Sequence, residues 1–216
     1  METVDIVEIA AVVLALLIAI VGHEIMHGYV AYRYGDDTAK HQGRLSINPL
    51  VHIDPIGTVV VPALLYISGA SFMFGWAKPV PIYIPTVLRN GGYRAATYVS
   101  LAGIAYNFTV ALVCYGLFHL FFPSEIESYF VYFFAYFLAQ SIKYNIILGL
   151  FNLYPLPPLD GSHAVTYMAA YFGWSRVVAF YESIERYGMV ILLVCIATPL
   201  SRYFFAPIRL VMEYVF

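Results

Sequence analysis

Three ionisable residues close an apolar run near the start of this 216-residue chain: His23, Glu24 and His27, within His23-Glu24-Ile25-Met26-His27. On a helix, positions i and i+4 share one face a turn apart, so the two imidazoles project together. Two ring nitrogens so placed can reach one tetrahedral Zn²⁺ at about 2.0–2.1 Å. Glu24 is offset by one residue, beside such an ion, where a carboxylate can take a proton from an activated water. The bland alternative is a polar helix end satisfied by its neighbours. It is the weaker reading, because ionisable groups at the end of a membrane helix are costly unless they have a task.

Catalytic zinc takes three protein ligands and keeps a fourth place for water. The best third ligand is Asp160, in the stretch NLYPLPPLDG at 152–161, and it is the only acidic residue between Glu127 and Glu182. Pro155, Pro157 and Pro158 cannot continue a helix, so the backbone breaks there. A broken helix at membrane depth is tolerated where it lines a protein cavity. The break can aim Asp160 inward, and Gly161 allows close packing after it. An ordinary interhelical turn with a capping Asp is the competing reading. In the same stretch Asn152 can donate an amide N–H to a developing oxyanion, and Asn107 is a second polar group inside an apolar span. For both, an interhelical hydrogen bond is an equal alternative. His41, His52, His119 and His163 lack partner spacing and are read as non-ligands, with His163 the nearest to Asp160. Asp54, in NPLVHIDPIG at 48–57, is read as turn chemistry.

Elements of one kind must position these groups. The chain is 62% hydrophobic and 11% charged, against roughly 25% charged in a soluble domain. Too few polar side chains remain to cover a water-facing surface. The composition excludes disorder, and the balance of 11 Lys and Arg against 13 Asp and Glu excludes a nucleic-acid partner. Cys114 and Cys195 sit alone in apolar runs and read as packing residues. The expectation is an all-α polytopic membrane protein, a single integral domain over residues 1–216, with the lipid bilayer as its solvent.

Charge-free stretches mark five or six expected spans. Residues 9–22 continue as helix through Tyr34 and end at Gly35-Asp36-Asp37. Residues 95–124 and 128–159 are the clearest spans. Residues 55–77 are broken by Pro62 and several Gly, so they either span or partly re-enter. Residues 161–174 and 187–201 are shorter candidates, the latter extended by 177–184 if the helix runs through the charges. Residues 202–216 suit the interface. Arg33, Lys40 and Arg44 follow the first span closely, which places that loop in the cytoplasm. Lys78, Arg89 and Arg94 suggest the same side, so the site is expected nearer the cytoplasmic face of the cell membrane. In FGWAKPVPIYIP at 74–85, spaced prolines forbid helix and Val, Ile and Tyr favour an extended or β edge element. Near the site, such an edge can hold an unwound substrate by main-chain bonds; an interfacial connector anchored by Trp76 and Lys78 is the alternative.

Taken together, HEIMH at 23–27, NPLVHIDPIGT at 48–58, FGWAKPVP at 74–81 and NLYPLPPLDG at 152–161 resemble the site-2 protease family of intramembrane zinc metalloproteases, in its short members without PDZ or CBS domains. The resemblance covers residues 23 to about 163. It implies a three-helix catalytic core and one zinc ion held by His23, His27 and Asp160. It further implies Glu24 as the catalytic residue, Asn152 as an oxyanion donor, and a transmembrane protein segment as substrate. Two positions depart from the family pattern. Ile104 stands where many members have Pro, and Ile84 where many short members have Asn; neither touches the proposed metal site. A membrane metal transporter or sensor, or a catalytically dead scaffold, would use the same polar cluster. Transport needs ligands and a path but no base beside a water, so Glu24 favours hydrolysis, and no internal repeat of the transporter kind is visible.

Overall fold

The computed structural model describes residues 3–69, 75–121 and 128–216. All regular structure among them is helical: α1 (Thr3–Arg33), α2 (Thr38–His41), α3 (Val61–Ile67), α4 (Ile84–Phe121), α5 (Tyr129–Leu153), α6 (Asp160–Tyr171), α7 (Ser175–Glu185), α8 (Gly188–Ala197), α9 (Ser201–Phe204) and α10 (Ala206–Val215). Three helices are long and apolar enough to cross a membrane, over Val4–Arg33, Ile84–Phe121 and Phe130–Leu153. These three, α1, α4 and α5, pack against one another, and α6 packs on α4.

The packing follows from small residues. Ala11, Ala15 and Ala19 repeat every four residues along α1 and are fully buried. On α4 the buried face is Ala95, Ala96, Val99, Ala102, Gly103, Asn107 and Ala111. Lipid tails are as apolar as leucine, so helices in a bilayer associate through close backbone approach and interhelical hydrogen bonds. Gly22 permits one such approach: a Cβ there would lie 2.1 Å from Tyr106 Cζ. The Tyr106 hydroxyl in turn donates to Ile18 O (3.2 Å). The opposite faces carry exposed Ile9, Val13, Leu112, Leu120 and Phe130, as lipid contact requires. Gly92, at φ 64° and ψ −165°, interrupts α4. That conformation is nearly closed to residues with a Cβ, and it separates a short arm from the long apolar section.

Of the five or six expected spans, three correspond among the described residues to helices long and apolar enough to cross a membrane; the other candidates are shorter. The stretch 161–174 yields α6, of 12 residues, closed by Gly173 at φ 74°. Helix runs through Glu182 and Glu185 but breaks at Arg186 and Tyr187, so α7 and α8 are separate. The 10 residues of α8 cover about 15 Å at 1.5 Å per residue, half of a hydrocarbon core of about 30 Å. Pro55–Ile67 is likewise a short apolar helix. It turns at Gly69 (φ 69°), and Trp76 N–H returns to Gly57 O (3.2 Å) while Thr58 Oγ1 donates to Trp76 O (2.9 Å). The segment therefore ends beside the place where it began.

Of the extended or β element expected near 74–85, the described residues before α4 keep the non-helical course without a strand. Phe74 lies outside the described residues, residues 75–83 carry no strand, and α4 begins at Ile84. Instead they form a strap tied to side chains and loop carbonyls. Lys78 N donates to His52 O (2.9 Å). The Arg44 guanidinium holds Lys78 O (2.7 Å) and Pro79 O (3.3 Å). Asp36 accepts from Tyr83 N (2.6 Å). A strand needs a neighbour with a free edge; these N–H groups found other acceptors.

Candidate metal centre

His23 and His27 extend the alanine row of α1 at the same four-residue step, so the face that seats on α4 and α5 ends in two imidazoles. Both are buried, at 5% and 7% exposure. α5 stops at Leu153, the proline-rich turn follows, and Asp160 opens α6. Gly161 makes this doubling-back possible, since a Cβ there would lie 2.2 Å from Leu153 O. The outcome is a near-equilateral triangle of potential ligand atoms. His23 Nε2 and Asp160 Oδ2 are 3.0 Å apart, His27 Nε2 and Asp160 Oδ2 3.2 Å, and the two Nε2 atoms 3.0 Å. Among the described residues this is the one group of three or more His, Cys, Asp or Glu close enough to hold an ion.

The hydrogen bonds around the triangle say what it is for. His27 Nδ1 lies 2.7 Å from Val99 O, a carbonyl that can only accept, so Nδ1 carries the proton. His23 Nδ1 lies 2.6 Å from Asn107 Oδ1. The Asn107 amide nitrogen is directed elsewhere, to Ala19 O (3.1 Å) and Asn145 Oδ1 (2.9 Å), so here too Nδ1–H donates. Each Nε2 then presents a lone pair inward. Two lone pairs and a carboxylate oxygen converging at about 3 Å repel one another unless a cation stands among them. Two imidazoles and a carboxylate are a common donor set for catalytic zinc. The edge of a tetrahedron with legs of about 2.0 Å is about 3.3 Å, close to the separations observed. The residues fit the ion.

Glu24 stands beside the triangle and outside it, its Oε2 accepting from Val80 N–H of the strap (2.9 Å). Asn152 Nδ2 donates to Leu148 O (3.0 Å), one turn back on α5. His163 lies away from the triangle, lining a cleft of about 160 Å³ with Tyr167, Tyr181 and Glu185. His52 is engaged with Ser46 O (2.9 Å), and His41 lies beside Asp37 (3.3 Å). Asp54 caps a turn, accepting from Ile56 N and Gly57 N. Asn107 takes the interhelical reading, with bonds to Ala19 O and Asn145 Oδ1, and also contacts His23 Nδ1.

Two contributors escape sequence reasoning. One is Asn145. The other is Gly103, where a Cβ would meet His27 Nε2 at 2.5 Å and His23 Nδ1 at 2.6 Å. The signal was available in part, because Gly103 and Asn107 stand four residues apart on the same face of α4. Gly103→Ala is expected to displace both imidazoles and strip the protein of zinc, with about 1–3 kcal/mol of overpacking. Metal content of the purified variant, read with its melting temperature, checks this. Full zinc occupancy would show that α4 can stand farther from α1 than the triangle implies.

Comparison with known proteins gives relatives of one kind. Over 197 residues the chain is 36% identical to YwhC of Bacillus subtilis (strain 168), described by name as a candidate zinc metalloprotease, covering 90% of this chain and 84% of that protein. It is 29% identical over 196 residues to Rip2 of Mycolicibacterium smegmatis (strain ATCC 700084 / mc(2)155), described in the same terms, covering 90% and 70%. No family model and no solved structure matches the chain.

Proposed function

The chain belongs to the site-2 protease family, and from that premise we propose that it is an intramembrane zinc endopeptidase hydrolysing peptide bonds in or beside the membrane-spanning segments of other proteins. The observation that carries this reading is the triangle of His23, His27 and Asp160, with both Nδ1 protons fixed outward, built on helices of membrane-spanning length.

His23, His27 and Asp160 would hold one zinc ion. When bound, the ion supplies Lewis acidity toward water and the scissile carbonyl. The remaining chemistry belongs to the chain. Glu24 takes the proton of the attacking water and returns it to the leaving amine. The Val80 N–H keeps the Glu24 carboxylate oriented while leaving an oxygen for that proton. Asn152 spends one amide proton on Leu148 O and keeps the second for an oxyanion. A helical substrate must unwind before its carbonyl can be attacked, and the strap at 75–83, which lies over Glu24, is the natural support for the unwound backbone. The basic residues Arg33, Lys40, Arg44 and Lys78 favour a site near the cytoplasmic face of a multi-pass protein. Transport needs ligands and a path but no base beside a water, so Glu24 supports hydrolysis over transport.

The direct test uses purified protein in detergent or liposomes with single-span model substrates. Cleavage within or next to the span is expected, lost on chelation and restored by zinc. A zinc-loaded chain that leaves a panel of such substrates uncut would count against the reading.

A further inference from the structure

We propose that Asn145, on α5, is a positioning residue that sets the orientation of His23 through Asn107. The proposal rests on the zinc reading above and extends it to a residue that touches neither the ligand atoms nor Glu24.

Asn145 Nδ2 donates to Ser141 O, one turn back on its own helix (2.8 Å). That bond turns Asn145 Oδ1 toward α4, where it accepts from Asn107 Nδ2 (2.9 Å). Asn107 Nδ2 also donates to Ala19 O on α1 (3.1 Å). With both amide protons committed, Asn107 can offer only its oxygen to His23 Nδ1 (2.6 Å). Nδ1 is therefore the donor of this bond, and the neutral imidazole so held presents its lone pair at Nε2. Asn107, Asn145 and Ser141 are all fully buried. The relay crosses three helices and ends on a ligand.

The alternative state shows what Asn145 does. Flipping the Asn107 amide by 180° would face NH₂ to His23 Nδ1 and favour the tautomer with its proton on Nε2, pointed into the triangle. In the native chain that flip sets Asn107 Oδ1 against two acceptors, Ala19 O and Asn145 Oδ1. Without Asn145 only one remains, and the wrong tautomer becomes accessible. Outer-shell partners of a metal-bound histidine act through this control of tautomer and ring direction.

The test compares wild type, Asn145→Leu and Asn145→Asp in detergent, with zinc affinity from chelator competition and melting of the metal-stripped protein. Asn145→Leu is expected to weaken zinc binding by about 10-fold or more with little change in the melting of the stripped protein. Asn145→Asp, whose buried and protonated carboxyl keeps an acceptor for Asn107 and a donor for Ser141 O, is expected to stay close to wild type. Unchanged affinity in Asn145→Leu overturns the proposal. So does a loss that Asn145→Asp fails to restore, or one that follows a fall in the stripped protein's melting temperature, since either marks a packing role. No substrate enters the assay. A chain that binds zinc as expected yet cleaves nothing would refute proteolysis and leave this assignment standing.

Discussion

Glu24→Gln is expected to retain its zinc and to lose kcat by about 10²–10⁴-fold, the usual contribution of a positioned proton-transfer group. The substitution is a clean one in this fold. Glutamine keeps the length of the side chain and an oxygen for the Val80 N–H that Glu24 Oε2 now accepts (2.9 Å). The strap therefore stays in place, and the triangle, which does not include Glu24, stays intact. Only the ability to accept and return a proton disappears. Cleavage of a single-span substrate and zinc content should be measured on one preparation. Wild-type turnover in this variant would remove the proposed base.

Asp160→Ala is expected to do the opposite, abolishing activity by emptying the site. Two imidazoles remain, one protein ligand short of the number that catalytic zinc takes. The loss should exceed the roughly 10–100-fold that removal of an outer-shell partner costs. The fold should survive, because alanine is a good helix former at the start of α6 and Gly161 still seats against Leu153 O. Zinc-to-protein ratio after dialysis reads the effect. A ratio near one would mean that another side chain supplies the third ligand.

The parts of this site that sequence reasoning reaches are those whose chemistry is tied to local spacing. His23 and His27 are one turn apart on any helix, and three prolines before Asp160 force a break wherever they occur. What it misses depends on which helices become neighbours. Asn145 is a lone amide in an apolar run, and its meaning appears only when α5 is laid beside Asn107. Gly103 reads as a helix glycine until two imidazoles are found against it. The lengths of the shorter helices were hidden for a related reason. Hydropathy registers the apolar run at 187–201 but not the turn that cuts it to the 10 residues of α8. Composition correctly made 75–83 non-helical, yet a strand requires a partner edge, and those N–H groups went to His52 O, Glu24 and Asp36.

The alanine row of α1 has a mechanical corollary. Ala11, Ala15 and Ala19 are nearly interchangeable steps of a ladder, and sliding the helix by four residues, about 6 Å, would set one alanine where another had been. Such a seam specifies axial placement poorly. The two imidazoles at its end break the translational symmetry, because only one setting docks both against Gly103 while handing Nδ1 protons to Val99 and Asn107. The histidine-bearing end of the helix is thus also its vernier, so that replacing either imidazole is expected to shift how the three long helices index against one another.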